Sequence, residues 1–241
     1  MALKILLNGS KGRMGQTIAG LAGGMNAVIS AAIDAGDDPA AHITGCDILI
    51  DFSAHQATGA VLALAAKHRK PVVIGTTGHS AGEKKHLLAL AAQVPCVWAG
   101  NFSVGVNLLF ALTRRAAAVL GSAYDTEVIE MHHRFKKDAP SGTALQFARI
   151  VQAAMGQERI AHGREGLVGE RPGSEIGMHA VRGGDSVGEH TIIFSALGET
   201  LELVHKGYSR DSYARGALLA AKYLAGKPAG LYTMADVLGL A

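Results

Sequence analysis

The run from Glu130 to Ala144, Glu-Met-His-His-Arg-Phe-Lys-Lys-Asp-Ala-Pro-Ser-Gly-Thr-Ala, sets two imidazoles and three cations ahead of a helix start. Imidazole and ammonium groups can release a proton, and free N–H groups at a helix start bind anions. Such a place suits a small carboxylate that must also be protonated. Near the N-terminus, Gly9-Ser10-Lys11-Gly12-Arg13-Met14-Gly15 follows the apolar run Leu3 to Leu7. This Gly-x-x-Gly-x-x-Gly loop is one residue off the standard dinucleotide fingerprint. Its glycines would still let the backbone crowd a pyrophosphate at a helix N-terminus. The bland alternative is an ordinary strand-to-helix turn. Asp34 lies 19 residues past Gly15, near the ~20 expected of a ribose-binding carboxylate. Both ends together point to a nicotinamide-dependent reductase of a small carboxylate.

No Arg or Lys follows Asp34 in Ala35-Gly36-Asp37-Asp38. A carboxylate there repels a 2′-phosphate and accepts a free 2′-hydroxyl, so NADH is the expected donor. Lys11 keeps NADPH open as an alternative. Gly75-Thr76-Thr77-Gly78 and Ala99-Gly100-Asn101-Phe102-Ser103 each follow a predicted strand. Loops beyond the carboxyl ends of parallel strands can border a nicotinamide, with Thr and Asn bonding its carboxamide; either is also at home as a turn or helix cap. His132 and His133 are adjacent, so on a strand they point to opposite faces. With no His-x-x-x-His or Cys cluster beside them, no metal is expected. Lys136 and Lys137 could also be a solvated charged patch, and Asp138 and Ser141 helix-start residues.

These residues need elements to hold them. Leu3–Leu7, Ala27–Ile33, Asp47–Phe52, Pro71–Ile74 and Pro95–Ala99 read as strands, with helices after the glycine loop, through Val61–Ala65 and through Leu87–Ala91. That alternation predicts a Rossmann-like, doubly wound parallel sheet. A long helix through Val106, Leu109, Phe110, Thr113, Ala117 and Leu120 leads to a strand, Thr126–Met131, that delivers the two histidines. Phe147, Ala148, Val151 and Met155 trace one face of the next helix. The glycine- and arginine-rich stretch Gly163 to Gly188 lacks strong periodicity and reads as a mobile loop or lid. His190–Ala196 and Thr200–His205 form an antiparallel pair about Leu197-Gly198-Glu199. A second α+β domain with a mixed sheet follows. The expected division is residues 1–103 with 213–241 for the dinucleotide, and 104–212 for substrate and oligomerisation.

Composition agrees. The chain has 241 residues, 49% hydrophobic and 18% charged, which fits a globular protein rather than a disordered one. A net charge of +3 is too slight for a nucleic-acid footprint. No run approaches the length of a membrane span, and the N-terminus lacks signal-peptide features, so a cytoplasmic place is expected. Cys46 and Cys96 have no paired spacing.

The motifs resemble one family, the 4-hydroxy-tetrahydrodipicolinate (dihydrodipicolinate) reductases of diaminopimelate and lysine biosynthesis. The resemblance runs over most of the chain: Gly12 to Gly15, Gly75 to Gly78, Asn-Phe-Ser-Val-Gly-Val-Asn from Asn101, His132 to Ala144, and Gly-Glu-His-Thr from Gly188. It implies hydride transfer from NAD(P)H to a cyclic, imine-derived dicarboxylate, giving tetrahydrodipicolinate, in a homotetramer. By matching positions, His132 and Lys136 become the proton-donor pair, and His133, Gly142 and Thr143 the substrate binders. Phe135 stands where many relatives carry another histidine, and Asp34-Ala35 replaces the acid–arginine pair of dual-specificity members. The chain is also shorter than many relatives, mainly in the cofactor domain. Two other readings are another small-acid NAD-dependent dehydrogenase, which would not need the His132–Lys136 run, and a non-catalytic NAD-binding redox sensor.

Overall fold

The computed structural model describes residues 1–240. The chain forms two compact units: Met1–Val104 together with the chain from Arg210 onward, and Gly105–Ser209.

In the first unit, β1 (Leu3–Asn8), α1 (Arg13–Ala22), β2 (Ala27–Ile33), β3 (Ile48–Asp51), α2 (Thr58–His68), β4 (Val72–Ile74), α3 (Ala81–Ala91) and β5 (Pro95–Trp98) alternate as the spacing predicts. The chain returns to this unit after the second as α6 (Asp211–Leu224), β11 (Gly230–Tyr232) and α7 (Met234–Leu238). All six strands are parallel, in the order β11-β5-β4-β3-β1-β2. Alternate strand residues face opposite sides, so continuous apolar runs need cover on both. Ile5, Leu7, Ile48, Ile50 and Val73 pack with Ile18 of α1 and Leu218, Ala221 and Leu224 of α6. Leu6, Leu49, Val72 and Ile74 pack with Val61, Leu62 and Ala65 of α2 and Ala91 of α3. The sheet is doubly wound. Strand order reverses between β1 and β3, the place where such sheets bind ligands. The returning tail, which the sequence reading assigns to this domain without naming a strand in it, contributes β11, a sixth strand paired to β5. Its three residues are too few for a periodic signal.

The second unit holds α4 (Val104–Leu120, entered at the boundary), β6 (Asp125–His132), α5 (Gly142–Met155), β7 (Arg159–His162), β8 (Glu175–Arg182), β9 (Gly188–Ala196) and β10 (Glu199–Gly207). Its sheet is mixed, in the order β10-β9-β6-β8-β7, with β6 central. β9 and β10 pair antiparallel across Leu197-Gly198, where Gly198 takes φ +93°. One sheet face (Val128, Ile176, Met178, Ile192, Phe194) packs on Leu109 and Ala117 of α4 and on Phe147 and Val151 of α5.

Two expectations are corrected here. Gly163–Gly188 is not one long loop, because β8 lies inside it and pairs parallel with β6 and β7. The loop before β8 is fastened by charge. Arg164 bonds Glu127 and Glu175 (2.8 and 2.6 Å), and Arg171 bonds Glu127 and Asp125 (3.0 and 2.6 Å). Burial works to raise the pKa of Glu127, but Arg164, His179 and Arg171 outweigh it and hold it at about 2. Second, Val104–Ala123, with a hydropathy of 1.3, is by length and composition long enough to cross a membrane. In this fold its Val106, Leu109, Thr113 and Ala117 side is buried, while Arg114 and Arg115 are exposed mid-helix.

Candidate active site

In the first unit the glycine loop is pressed against its neighbours. Gly9 sits at φ +79°, and a Cβ on it would lie 2.4 Å from the Phe52 carbonyl oxygen. A Cβ on Gly15 would lie 2.2 Å from the oxygen of Gly9. Only glycine fits either place. Gly9 and Ser10 both donate to the Ile33 carbonyl (3.0 Å each), tying the loop to the end of β2. Gly12 is the N-cap of α1, and no side chain among the described residues caps that end. The Lys11 and Gly12 N–H groups are taken up within the loop by Asp34 and Gly9, so those of Arg13 and Met14 in the first turn are the ones that suit a pyrophosphate.

Asp34 does more than its spacing suggests. Its carboxylate accepts the Lys11 and Ala35 N–H groups at 2.8 Å each, so it braces the glycine loop from β2. The Ala35 and then the Lys11 N–H bonds lower its pKa, and it stays charged. Beneath the loops, buried Asp51 accepts from Asn8 (2.8 Å), Ser53 (2.6 Å) and Thr76 (2.7 Å). The Thr76 hydroxyl is thus engaged inside the sheet, and Phe102 is in the core against Phe52, with ring centroids 5.6 Å apart. Thr77 is exposed, beside Gly100. Asn101 accepts from the Ser103 N–H (2.9 Å), and Ala99 N–H donates to the Ile74 carbonyl (3.1 Å). Gly75 has no room for a side chain, since a Cβ would lie 2.1 Å from the Phe52 ring.

In the second unit hydrogen bonds bring Glu130, His132 and Ser141 of the Glu130–Ala144 run together. His132 ends β6, buried, with Nδ1 2.6 Å from Glu130 Oε2. Glu130 is fully buried and also accepts both Arg182 Nη groups (2.8 Å each) and the Ser141 N–H (3.0 Å). Burial pushes its pKa up, but the bonds from His132, Arg182 and Ser141 prevail and hold it at about 2. His133 leaves the strand, its N–H bound to the Ser186 carbonyl (2.8 Å). The Lys136 N–H turns back to the His133 carbonyl (3.1 Å), and its ammonium pairs with Asp138 at 2.8 Å. Ser141 caps α5 by accepting from Ala144 N–H (3.1 Å), and Gly142 and Thr143 open that helix. An ammonium, an imidazole and a helix N-terminus in one unit can bind an anion and deliver a proton. A cavity of about 320 Å³ also opens by Met131, but it is lined by Asp185 and Glu189 and by no Lys or Arg, which suits no anion.

Four participants stand outside the predicted set: Glu130, Ser141, Arg182 and His190. Glu130 and His132 stand two apart on one strand, hence on one face, a signal open to the alternation rule. Ser141 carries only a helix-start signal in the sequence. Arg182 and His190 reach the cluster through β8 and β9, which short-range patterns cannot show. His190 packs against His132 (centroids 5.4 Å) with Nε2 3.4 Å from Ser141 Oγ. Its pKa is pushed down to about 3, by burial first and then by His132. The unfolded chain takes up this proton near the ordinary value of 6.5 and the folded chain does not. His190 therefore favours folding fully above that pH, and its contribution is lost as pH falls toward 3; His205, also pushed down by burial, acts in the same direction. Urea unfolding between pH 6.5 and 4 should show stability falling with pH, by up to about 1.4 kcal/mol per pH unit for one proton. His190→Phe should flatten that slope, and an unchanged slope removes His190 as its source.

Comparison with known proteins places these features. A family model described as dihydrodipicolinate reductase, N-terminus, matches residues 3–102, and its C-terminal counterpart matches residues 105–238. A 4-hydroxy-tetrahydrodipicolinate reductase of Akkermansia muciniphila is 50% identical over 99% of this chain and 98% of its own. One from Syntrophus aciditrophicus is 45% identical over 98% of each. A solved structure of dipicolinate-bound dihydrodipicolinate reductase from Paenisporosarcina sp. TG-14 shares the fold, with a TM-score of 0.80, 23% identity, and 98% and 99% of the two chains covered.

Proposed function

This chain belongs to the dihydrodipicolinate reductase family, and on that premise we propose that its residues carry the reduction of 4-hydroxy-tetrahydrodipicolinate to tetrahydrodipicolinate by NAD(P)H. In balance, one hydride and one proton enter the substrate, and water and the oxidised nucleotide leave. The bound nicotinamide would supply the hydride. The observation that carries the reading is the Glu130–Thr143 cluster, where proton donors and anion-binding N–H groups are built into one buried frame.

The first unit is the dinucleotide-binding half. Gly9, Gly12 and Gly15 give the backbone its close approach, with Ser10, Lys11, Arg13 and Met14 around it. Gly75, Thr77, Ala99, Gly100 and Asn101 form the rim. Thr76 and Phe102 support that rim from within. Asp34 is charged, and each of its oxygens keeps a lone pair for a ribose hydroxyl beside the N–H it already accepts, which supports NADH as the preferred donor. Steady-state assays with each nucleotide should give kcat/KM at least about tenfold higher for NADH, worth about 1.4 kcal/mol. A tenfold preference for NADPH would reverse the role given to Asp34.

In the second unit, the N–H groups of Gly142 and Thr143 and the side chain of His133 hold the substrate carboxylates. Lys136 gives the proton, and His132 relays it. A coupled assay feeding aspartate semialdehyde and pyruvate through the upstream synthase, with NADH and NADPH loss followed separately, tests the whole reading; no turnover with either would end it. The open face of the mixed sheet carries Ile129, Val181 and Val204, all more than a third exposed. Ile129 and Val204 both pair with Thr191, and Val181 with Met131, so all three share one face. That patch supports a homotetramer built through this sheet.

A further inference from the structure

We propose that Glu130 is a positioning residue, which fixes the ring of His132 as its Nδ1–H tautomer and clamps that ring to the start of α5. The inference rests on the function proposed above only in where the histidine acts, not in how it is held.

Glu130 is a carboxylate with no exposed surface, and a buried charge is tolerated only when paired and fully hydrogen-bonded. Its two oxygens receive four donors. Oε1 takes Arg182 Nη2 and the Ser141 N–H, while Oε2 takes Arg182 Nη1 and His132 Nδ1. A carboxylate offers acceptors only, so a neutral imidazole facing it must carry its proton on Nδ1. Nε2 is then the nitrogen left to take or give a proton. Space is kept for it: a Cβ on Gly188 would lie 2.9 Å from Nε2, and glycine has none. A purely structural ion pair needs Arg182 alone. Here the shortest of the four bonds runs to the imidazole, at 2.6 Å. Because the same carboxylate holds the Ser141 N–H, it also fixes the imidazole relative to the helix start that follows.

Glu130→Gln separates these roles. The amide oxygen can keep Arg182 Nη2 and the Ser141 N–H. The NH2 group then gives up the Arg182 Nη1 bond and faces His132 Nδ1, which must become an acceptor, so the ring's proton moves to Nε2. The measurement is the long-range ¹H–¹⁵N spectrum of ¹⁵N-histidine-labelled full-length protein without substrate, with His132 assigned by the signal lost in His132→Gln. The wild type should show neutral His132 protonated on Nδ1. Glu130→Gln should show the reversed tautomer, with kcat reduced about 100-fold or more and KM for NADH within twofold. Nε2–H as the main wild-type form overturns the proposal, and so does a variant with unchanged tautomer or with kcat within threefold. If the variant does not fold, the wild-type spectrum decides alone. Since the tautomer is read without substrate, a wild type inactive in the coupled assay would count against the proposed function and not against this clamp.

Discussion

Replacing Lys136 by alanine should lower kcat by about two to four orders of magnitude, the usual worth of a positioned proton donor. The affinity for NADH should stay within twofold, because the glycine loop and Asp34 belong to the other unit. Lys136 is held on a short turn by its N–H bond to the His133 carbonyl, and its ammonium lies 2.8 Å from Asp138. Its side chain is only about one-fifth exposed, at 21%. The ammonium therefore has a fixed place ahead of the α5 N-terminus. Lys136→Arg separates charge from proton. Guanidinium keeps the positive charge but does not give up its proton in proteins, so KM for the dicarboxylate should recover while kcat stays low. Single-turnover absorbance at 340 nm and titration of NADH fluorescence give the two quantities. Turnover within threefold of wild type in Lys136→Ala would assign the proton to another group.

Gly216→Ala should destabilise the first unit by about 3 kcal/mol or more. Alanine in a helix normally gains up to about 1 kcal/mol over glycine. At Gly216 the sign reverses, because a Cβ would lie 1.7 Å from the Phe102 carbonyl oxygen and 2.8 Å from its carbon. Those atoms are backbone and cannot swing aside. α6 would have to lift from a face where Ala217, Leu218, Ala220 and Ala221 are buried, or the Ala99–Phe102 loop would have to shift. Gly20→Ala in α1 is the control, since a Cβ there meets nothing within 4 Å among the described residues. It should raise stability by roughly 0.5–1 kcal/mol. Urea unfolding of both variants checks the pair, and equal effects would mean that α6 does not press on Phe102.

Much of the scaffold is legible in short windows. The apolar runs at Leu3, Ile48 and Val72 become adjacent parallel strands because each is too continuous for anything but two-sided burial. The helix faces of Ile18 and Phe147 are likewise local patterns, and both side chains are fully buried. β8 escaped because Ile176 and Met178 are its only large apolar residues facing the core, too few to stand out among glycines and charges. The lack of periodicity there reads as mobility, and three arginines stand in and around the strand. In the fold, each meets buried or half-buried carboxylates.

What the order of residues decided alone was local: strand–helix alternation, the turns that only glycine can make, and a run of proton donors leading into a helix start. Each depends on neighbours a few positions apart, where backbone sterics and side-chain periodicity act directly. Tertiary structure decided the partners. Arg182 meets Glu130 from 52 positions away and His190 meets Ser141 from 49, and neither spacing leaves a trace in a periodic pattern. Whether a carboxylate is exposed or buried, and so whether it merely dissolves the surface or orients an imidazole, depends on those distant strands closing over it.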